Sequence, residues 1–354
     1  MQHHKKEIKK IEGGFWKFVM KNLISIGIGL LVFYIVLKGI GIHEIRLAIK
    51  SIPGIYFVIV FLLYGVIYSL HILKWKTIIH TVKDVDFIQL VPIYFAGGMF
   101  NQLTPGATCG GQPYRAYHLS KINKKSFAQN LSTSIFEFCT NAVFHSIVLL
   151  SSLVYLISIK VPSHMIALLV ISVVLVIAFL LFIALGFVKI DVKIKFANKI
   201  FPHLYHVHIF NKLKKNFKNY NTMKSFFVGE VKIFYREMDH YLKNTRLLIK
   251  AFLYDILIWT VYALQLMILF LAVDVNIGFI PVIIVLSVSQ LANFIMFTPG
   301  GVGIVEAVMI GTFGLFGIPL AISAVVPTIN RLFLYIYEFV FGYLSFLYLR
   351  NIKR

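Results

Sequence analysis

Five ionisable side chains interrupt long apolar stretches of this 354-residue chain: Glu137, Asp255, Glu306, Arg331 and Glu338. On insertion scales each costs about 2.5–3.5 kcal/mol at the centre of a bilayer, so such residues turn towards a bundle interior or a wet cavity, where they handle ions, protons or polar groups. Glu137 lies on a polar stripe with Asn130, Ser134, Asn141 and His145, spaced 4, 3, 4 and 4. That period holds all five on one helix face, which should point into the bundle. Arg331, Tyr335 and Glu338 form a second stripe at 4 and 3. Its plain structural reading pairs Arg331 with Glu338 across two turns; its functional reading has Arg331 hold an anion. Asp255 is expected to be structural, paired on the Gln265 side or reaching for Lys250. Glu306, just after a glycine-rich turn, carries the strongest single signal.

The second chemical signal is a repeated tripeptide: Thr104-Pro105-Gly106 and Thr298-Pro299-Gly300. Thr is a good N-cap, and Pro is favoured in the first helical turn, where no backbone N–H is needed. The residue before Pro is driven out of the helical region. Each Thr-Pro therefore ends one helix and starts another. The new helix presents bare N–H groups and the positive end of its dipole, which favour an anion. The glycines that come next (Gly106, Gly110 and Gly111; Gly300, Gly301 and Gly303) let a ligand or another backbone approach. Each site is preceded by Asn (Asn101, Asn293) and succeeded by a charge (Arg115, Glu306). A plain proline kink between packed helices would account for one such site; it accounts poorly for two with the same flanking pattern.

The elements that must position these residues are set by composition. Hydrophobic residues make up 59% of the chain, charged residues only 14%, and mean hydropathy is +0.83. A soluble domain is about half apolar and roughly a quarter charged, so a water-soluble globular protein is excluded. A disordered chain is excluded by the 33 Phe and 18 Tyr. Cys109 and Cys139 lie in or beside apolar sequence and imply no disulfide framework. A bilayer core of about 30 Å takes roughly 20 apolar residues in helix. Six segments qualify: 19–40, 54–73, 126–157, 164–188, 248–272 and 320–347. Two further stretches, 87–103 and 279–297, run straight into the Thr-Pro-Gly turns. The N-terminus opens polar and charged and does not resemble a cleavable signal peptide.

Lys and Arg set the orientation. Segments 1–22, 74–86, 115–125, 188–250 and 350–354 hold 30 of the 35. One topology leaves them all in the cytoplasm, with both termini there: six helices span, and each Thr-Pro-Gly region is a hairpin that returns to its own side. The first hairpin (87–119) then enters from the cytoplasm and the second (279–317) from the opposite face. The fold expected is all-α: a polytopic integral membrane protein with about six spanning helices plus two oppositely oriented re-entrant hairpins. It is one membrane domain made of a first half-repeat (1–187), a basic cytoplasmic loop (188–247) and an inverted second half-repeat (248–354). Inverted repeats with interrupted helices place binding sites near the bilayer midplane. The return arm of the first hairpin, Gln112 to Lys125, is polar and could lie at the interface. The loop 188–250 carries fourteen Lys/Arg against four acids; Phe226 to Tyr241 resembles a helix on the membrane surface, but the plainer reading, a solvated basic connector near anionic lipid, is preferred.

These residues resemble the lysylphosphatidylglycerol synthase transmembrane-region family, the flippase domain of multiple-peptide-resistance factors. The matching motifs are Gly98-x-Phe100-Asn101-x-x-Thr104-Pro105-Gly106 with Gly110-Gly111 and Arg115; then Glu137; then Thr298-Pro299-Gly300-Gly301-Val302-Gly303 with Glu306; then Arg331 to Gly342. The resemblance covers nearly the whole chain. Family members commonly place Arg directly after the first-half Glu and Asp four residues beyond that Glu. Phe138 and Asn141 stand there in this chain, so no local ion-pair network is expected at Glu137. Larger members carry a soluble aminoacyl-transferase domain after the membrane part, whereas this chain stops at Arg354; lysyl transfer is therefore not expected.

The expected activity is movement of an amphiphile between leaflets of the cell membrane, either a phospholipid (aminoacylated or not) or a lipid-linked glycan. Arg115, Arg331 and the two helix tips would hold phosphate; Glu137 and Glu306 would hold a cationic part of the head or carry protons. The alternatives are a membrane transferase on a lipid-linked substrate and an accessory subunit presenting lipid to a separate synthase. The partners expected are membrane lipids and such a synthase; nucleic acid is not, since only net charge (+21) speaks for it. No catalytic residue, cofactor or metal site is expected. His203, His206 and His208 lack a Cys or carboxylate nearby, and no P-loop, Gly-x-Ser-x-Gly or His-Glu-x-x-His occurs. Trp16, Tyr56 and Trp75, near span ends, read as aromatic-belt anchors.

Overall fold

The computed structural model describes residues 50, 52–104, 110–158, 190–206, 217, 219–295, 301 and 303–351. The expected spans 19–40 and 164–188 lie outside them, as do Pro105, Gly106, Cys109 and Thr298 to Gly300. All regular secondary structure among the described residues is helical. In order, the helices are α1 (Gly54–Ile79), α2 (Phe87–Leu103), α3 (Gly111–Asn123), α4 (Phe127–Ser158), α5 (Ile190–His206), α6 (Tyr220–Lys243), α7 (Thr245–Leu271), α8 (Phe279–Ile295), α9 (Ile304–Gly314) and α10 (Leu320–Tyr335). A π-helical segment, Ile336–Phe341, joins α10 to α11 (Gly342–Asn351).

Among the described residues, four helical stretches are long and apolar enough to cross a membrane: α1, α4, α7 and the continuous run Leu320–Asn351. The 17-residue α2 and α8 and the 11-residue α9 are too short to span alone. Sequence sets their ends. Thr104 is extended (φ −92°, ψ 119°), as the residue before a proline must be, and α2 stops there. On the other hairpin, Gly301 (φ 64°) and Gly303 (φ 85°) take left-handed backbone that favours glycine, and α9 starts directly after.

The bundle is organised about α1 and α7. Lys74, near the end of α1, meets Asp255, in the first half of α7. Tyr64, nearer the start of α1, meets Tyr262, further along α7, with ring centroids 6.2 Å apart. Residue numbers rise along one helix as they fall along the other, so the pair is antiparallel. The chain therefore leaves the two helices at opposite ends of the bundle, α2 starting from one end and α8 from the other. The remaining contacts repeat under this exchange. α2 packs on α3 as α8 packs on α9, and α3 packs on α4 as α9 packs on α10. α2 also packs on the π segment and α11, while α8 packs on α4. Each hairpin is thus held by the long third helix of the other half. This is an inverted repeat, with hairpins entering from opposite ends.

An apolar cluster from α1, α7, α8, α9 and α10 fills the centre of one side, including Val60, Leu266, Val285, Phe313 and Val325. A smaller one, with Trp75, Leu90, Leu119 and Leu349, ties α1, α2, α3 and α11 together. The return arm α3 is docked between α2 and α4, with Gln112, Arg115 and His118 buried. The segment Phe226 to Tyr241, expected as a surface helix, belongs to α6, which packs on α4. Two of the loop's acids hold it there. Glu230 accepts from the Ala128 N–H (2.8 Å) at the positive start of α4, and Glu237 accepts from Gln129 (3.2 Å).

Candidate functional site

In the first hairpin, Arg115 of α3 forms a buried ion pair with Glu137 of α4. The guanidinium lies 3.9 Å from the Trp75 ring centre and 4.4 Å from that of Tyr94. Desolvated cation–ring contacts of this kind are worth about 2 kcal/mol. The Tyr94 hydroxyl also donates to Glu137 (3.2 Å). Glu137 is thus paired through α3 and α2, and the absence of local partners at Phe138 and Asn141 does not leave it isolated. Glycine makes this geometry possible. A Cβ on Gly97 would stand 2.6 Å from Arg115 Cγ, and one on Gly111 would collide with the Gly97 carbonyl oxygen. Asn101 Oδ1 accepts the Gly111 N–H (2.7 Å), and the Thr104 hydroxyl turns back to the Phe100 carbonyl. A Cβ on Gly110 would collide with the Thr104 hydroxyl. The glycines of the described turn therefore admit neighbouring backbone and side chains of the hairpin itself.

In the second hairpin the roles are exchanged. Glu306 of α9 accepts from Arg331 Nε of α10 (3.1 Å) and, at 3.3 Å, from the Tyr335 hydroxyl. Its other oxygen accepts the Gly303 N–H (2.8 Å), at the positive end of α9. Arg331 therefore pairs with Glu306, not with Glu338 as the stripe spacing suggested. Glu338 accepts a 2.5 Å hydrogen bond from Tyr68, and its second oxygen has no hydrogen-bond partner among the described residues. That carboxylate presses on α2, where a Cβ at Gly98 would collide with Oε2. The side chains of Asn293 and His206 lie outside the described residues.

Two further expectations are corrected. Asp255 is paired neither towards Gln265 nor with Lys250; Lys74 holds both its oxygens, at 2.6 and 2.7 Å, and neither side chain is exposed at all. Trp75 is no interfacial anchor. It is fully buried, its indole N–H donates to Thr133 (3.1 Å), and its ring carries Arg115. Lys74 and Trp75 belong to a turn of α1 inside the bundle, not to a basic loop outside it.

The two ion pairs lie beside two adjacent cavities. A cavity of about 260 Å³ is lined by Arg331, Glu338, Asn330, Tyr64 and Tyr262 among others. A second, of about 190 Å³, is lined by Arg115, Glu137, Tyr94, Gln112 and His145. His71, Asn101, Asn141, Trp259 and Gln290 line both, so the two lie side by side. The walls come from both halves of the repeat. Of the expected stripe, Asn130, Ser134, Glu137 and His145 are buried, and Asn141 faces the shared void. Among the described residues no three His, Cys, Asp or Glu gather as metal ligands.

Residues 22–342 match the family described as lysylphosphatidylglycerol synthase TM region. The chain belongs to that family. A UPF0104 membrane protein of Pyrococcus horikoshii is 26% identical over 319 residues, covering 88% of this chain and 92% of that protein. One from Methanothermobacter thermautotrophicus is 25% identical over 353 residues, covering 95% and 97%. Another, from Methanocaldococcus jannaschii, is 24% identical and covers 94% and 96%. No solved structure matches the chain. In this multi-pass member of the family, motif reading missed Tyr64 and His71, which line the cavities, and Tyr68 and Trp75, which hold Glu338 and Arg115 from α1. Tyr64, Tyr68, His71 and Trp75 are spaced 4, 3 and 4 along α1. That period is the same signal that exposed the Glu137 stripe, here carried by aromatic residues inside an apolar span.

Proposed function

We propose that this protein is a lipid translocase of the cell membrane, with both termini in the cytoplasm. It passes the polar head of a phospholipid or lipid-linked glycan through the central cavity while the acyl chains stay in the bilayer. One observation carries this reading: two adjacent cavities between the two inverted halves, sharing five lining residues and each lined by a member of a buried ion pair, Arg115 with Glu137 in one and Arg331 in the other. Taking a charged head through hydrocarbon is the main barrier to its crossing, and a polar void removes most of it.

The pairs suit a head that carries charge. At rest each Arg is neutralised by its Glu. A phosphate entering between them meets Arg115 and Arg331. An ammonium or other cationic part meets Glu137 directly, and meets Glu306, which lies behind Arg331, once Arg331 has moved onto the phosphate. The head exchanges partners with the pairs, so each of these charges stays matched in the low-dielectric interior. Asn101, Asn141 and Gln290, shared by both parts of the void, add polar groups along the way.

The test is movement of fluorescent phospholipid between leaflets of proteoliposomes, read by quenching from outside. Wild type should move lipid faster than protein-free vesicles, and Arg115→Ala and Glu306→Gln should each slow it at least tenfold. Equal rates in variants and wild type would remove the ion pairs from the mechanism.

A further inference from the structure

A second groove lies away from the central cavity, where the end of α1 meets the start of α7. Its volume is about 510 Å³, within the ordinary range of ligand sites. It is lined by Lys76 and His80 from the α1 side and by Arg246 and Lys250 from the α7 side, with no carboxylate in the wall. None of these four is in an ion pair of the described residues. The first turn of α7 opens into the same groove, adding the positive end of its dipole.

Two apolar stripes lead away from this basic groove. On α1 the exposed residues Val58, Leu62, Val66 and Leu73 succeed one another at intervals of 4, 4 and 7, an outward apolar stripe. Lys76 and His80 continue that stripe in the next turns. On α7, Arg246 and Lys250 give way at helical spacing to exposed Leu253, Leu257 and Leu264. Because the two helices are antiparallel, their basic ends coincide and their apolar stripes run away from them side by side. A soluble anion would find four basic side chains but no use for the stripes. An amphiphile with an anionic head uses both: phosphate on the basic groups, chains along the apolar faces.

We propose that this groove binds one anionic phospholipid from the adjacent leaflet, independently of the central cavity. Its phosphate sits among Lys76, His80, Arg246 and Lys250. The bound lipid clamps the α1–α7 seam, directly outside the buried Lys74–Asp255 pair.

Native mass spectrometry of the detergent-purified chain tests this with phosphatidylglycerol, phosphatidylcholine and inorganic phosphate as separate probes. The variant is the triple substitution Lys76→Gln, Arg246→Gln and Lys250→Gln. The control removes equal charge elsewhere, at Lys199, Lys224 and Lys232 on α5 and α6. At about 1 kcal/mol per basic residue near an anionic head, phosphatidylglycerol should bind the triple variant at least tenfold more weakly than wild type or control. Phosphatidylcholine should bind all three alike, and excess phosphate should not displace the lipid. Phosphatidylglycerol should raise the unfolding temperature of wild type and control but not of the triple variant. Equal lipid binding by wild type and triple variant overturns the proposal. Tight binding of phosphate alone, with displacement of lipid, overturns it in favour of a soluble-anion site. Neither result bears on lipid movement through the cavity, which the proteoliposome assay reads separately.

Discussion

Arg115 and Glu306 hold corresponding places in the two hairpins and carry opposite charges. Arg115 lies four residues past the start of α3, and Glu306 two residues past the start of α9. Each pairs with the third helix of its own half, at Glu137 and Arg331 respectively. The inverted repeat thus preserves the position of the ion pair and reverses its polarity. Arg115 and Glu137 line one cavity, and Arg331 lines the other with Glu306 behind it.

Each pair should behave as a unit. Arg115→Ala strands Glu137 in a buried site, and removing one partner of such a pair typically costs about 3–5 kcal/mol. Replacing both, as Arg115→Met with Glu137→Leu, should recover most of that stability while lipid movement stays lost. Thermal unfolding in detergent reads the first effect and the proteoliposome assay the second. A double variant no more stable than the single one would show that the pair is not the unit.

Lys74 and Asp255 should obey the same rule with a different functional result. Either Lys74→Met or Asp255→Leu alone should be strongly destabilising, by about 3–5 kcal/mol. The double variant should fold, and it should move lipid at a rate near wild type, because neither residue lines the central void. Loss of movement in a well-folded double variant would assign this pair a part in transport.

The glycines divide cleanly. Gly111→Ala drives a Cβ into the Gly97 backbone oxygen, which no side-chain rotation relieves, so the first hairpin should not close and the yield of folded protein should collapse. Gly229→Ala, on α6 with open space around its Cβ, should instead stabilise by about 0.4–1 kcal/mol through the unfolded chain. Expression and unfolding temperature of the two variants check this directly.

Much of the architecture is legible from physical rules that act locally. Mean apolarity over about 20 residues locates α1, α4, α7 and the Leu320–Asn351 run, and the Thr-Pro rule locates the end of α2 at Thr104. The Glu137 stripe points inward because helical period is a property of sequence. Pairing is not. Arg331 and Glu338 share a face in sequence, yet Arg331 turns to Glu306 on another helix, where the N-terminal dipole already anchors the carboxylate. Lys74 and Trp75 escape a local reading because a charged residue and an aromatic near a span end are compatible with an interface. Only the antiparallel meeting of α1 with α7 and the arrival of Arg115 over the indole bury them. Long-range partners depend on tertiary geometry that periodicity does not encode.

The central claim is that polar solvent reaches the void between the two halves at membrane depth. Asn141 faces both parts of that void, and its replacement by Cys, in a background with Cys109 and Cys139 changed to Ala, gives a single reporter. A small membrane-impermeant thiol reagent should label this cysteine in proteoliposomes, and an anionic amphiphile should protect it, while Leu253→Cys on the lipid-facing surface should stay unlabelled. A cysteine at 141 as inert as the one at 253 would contradict the account.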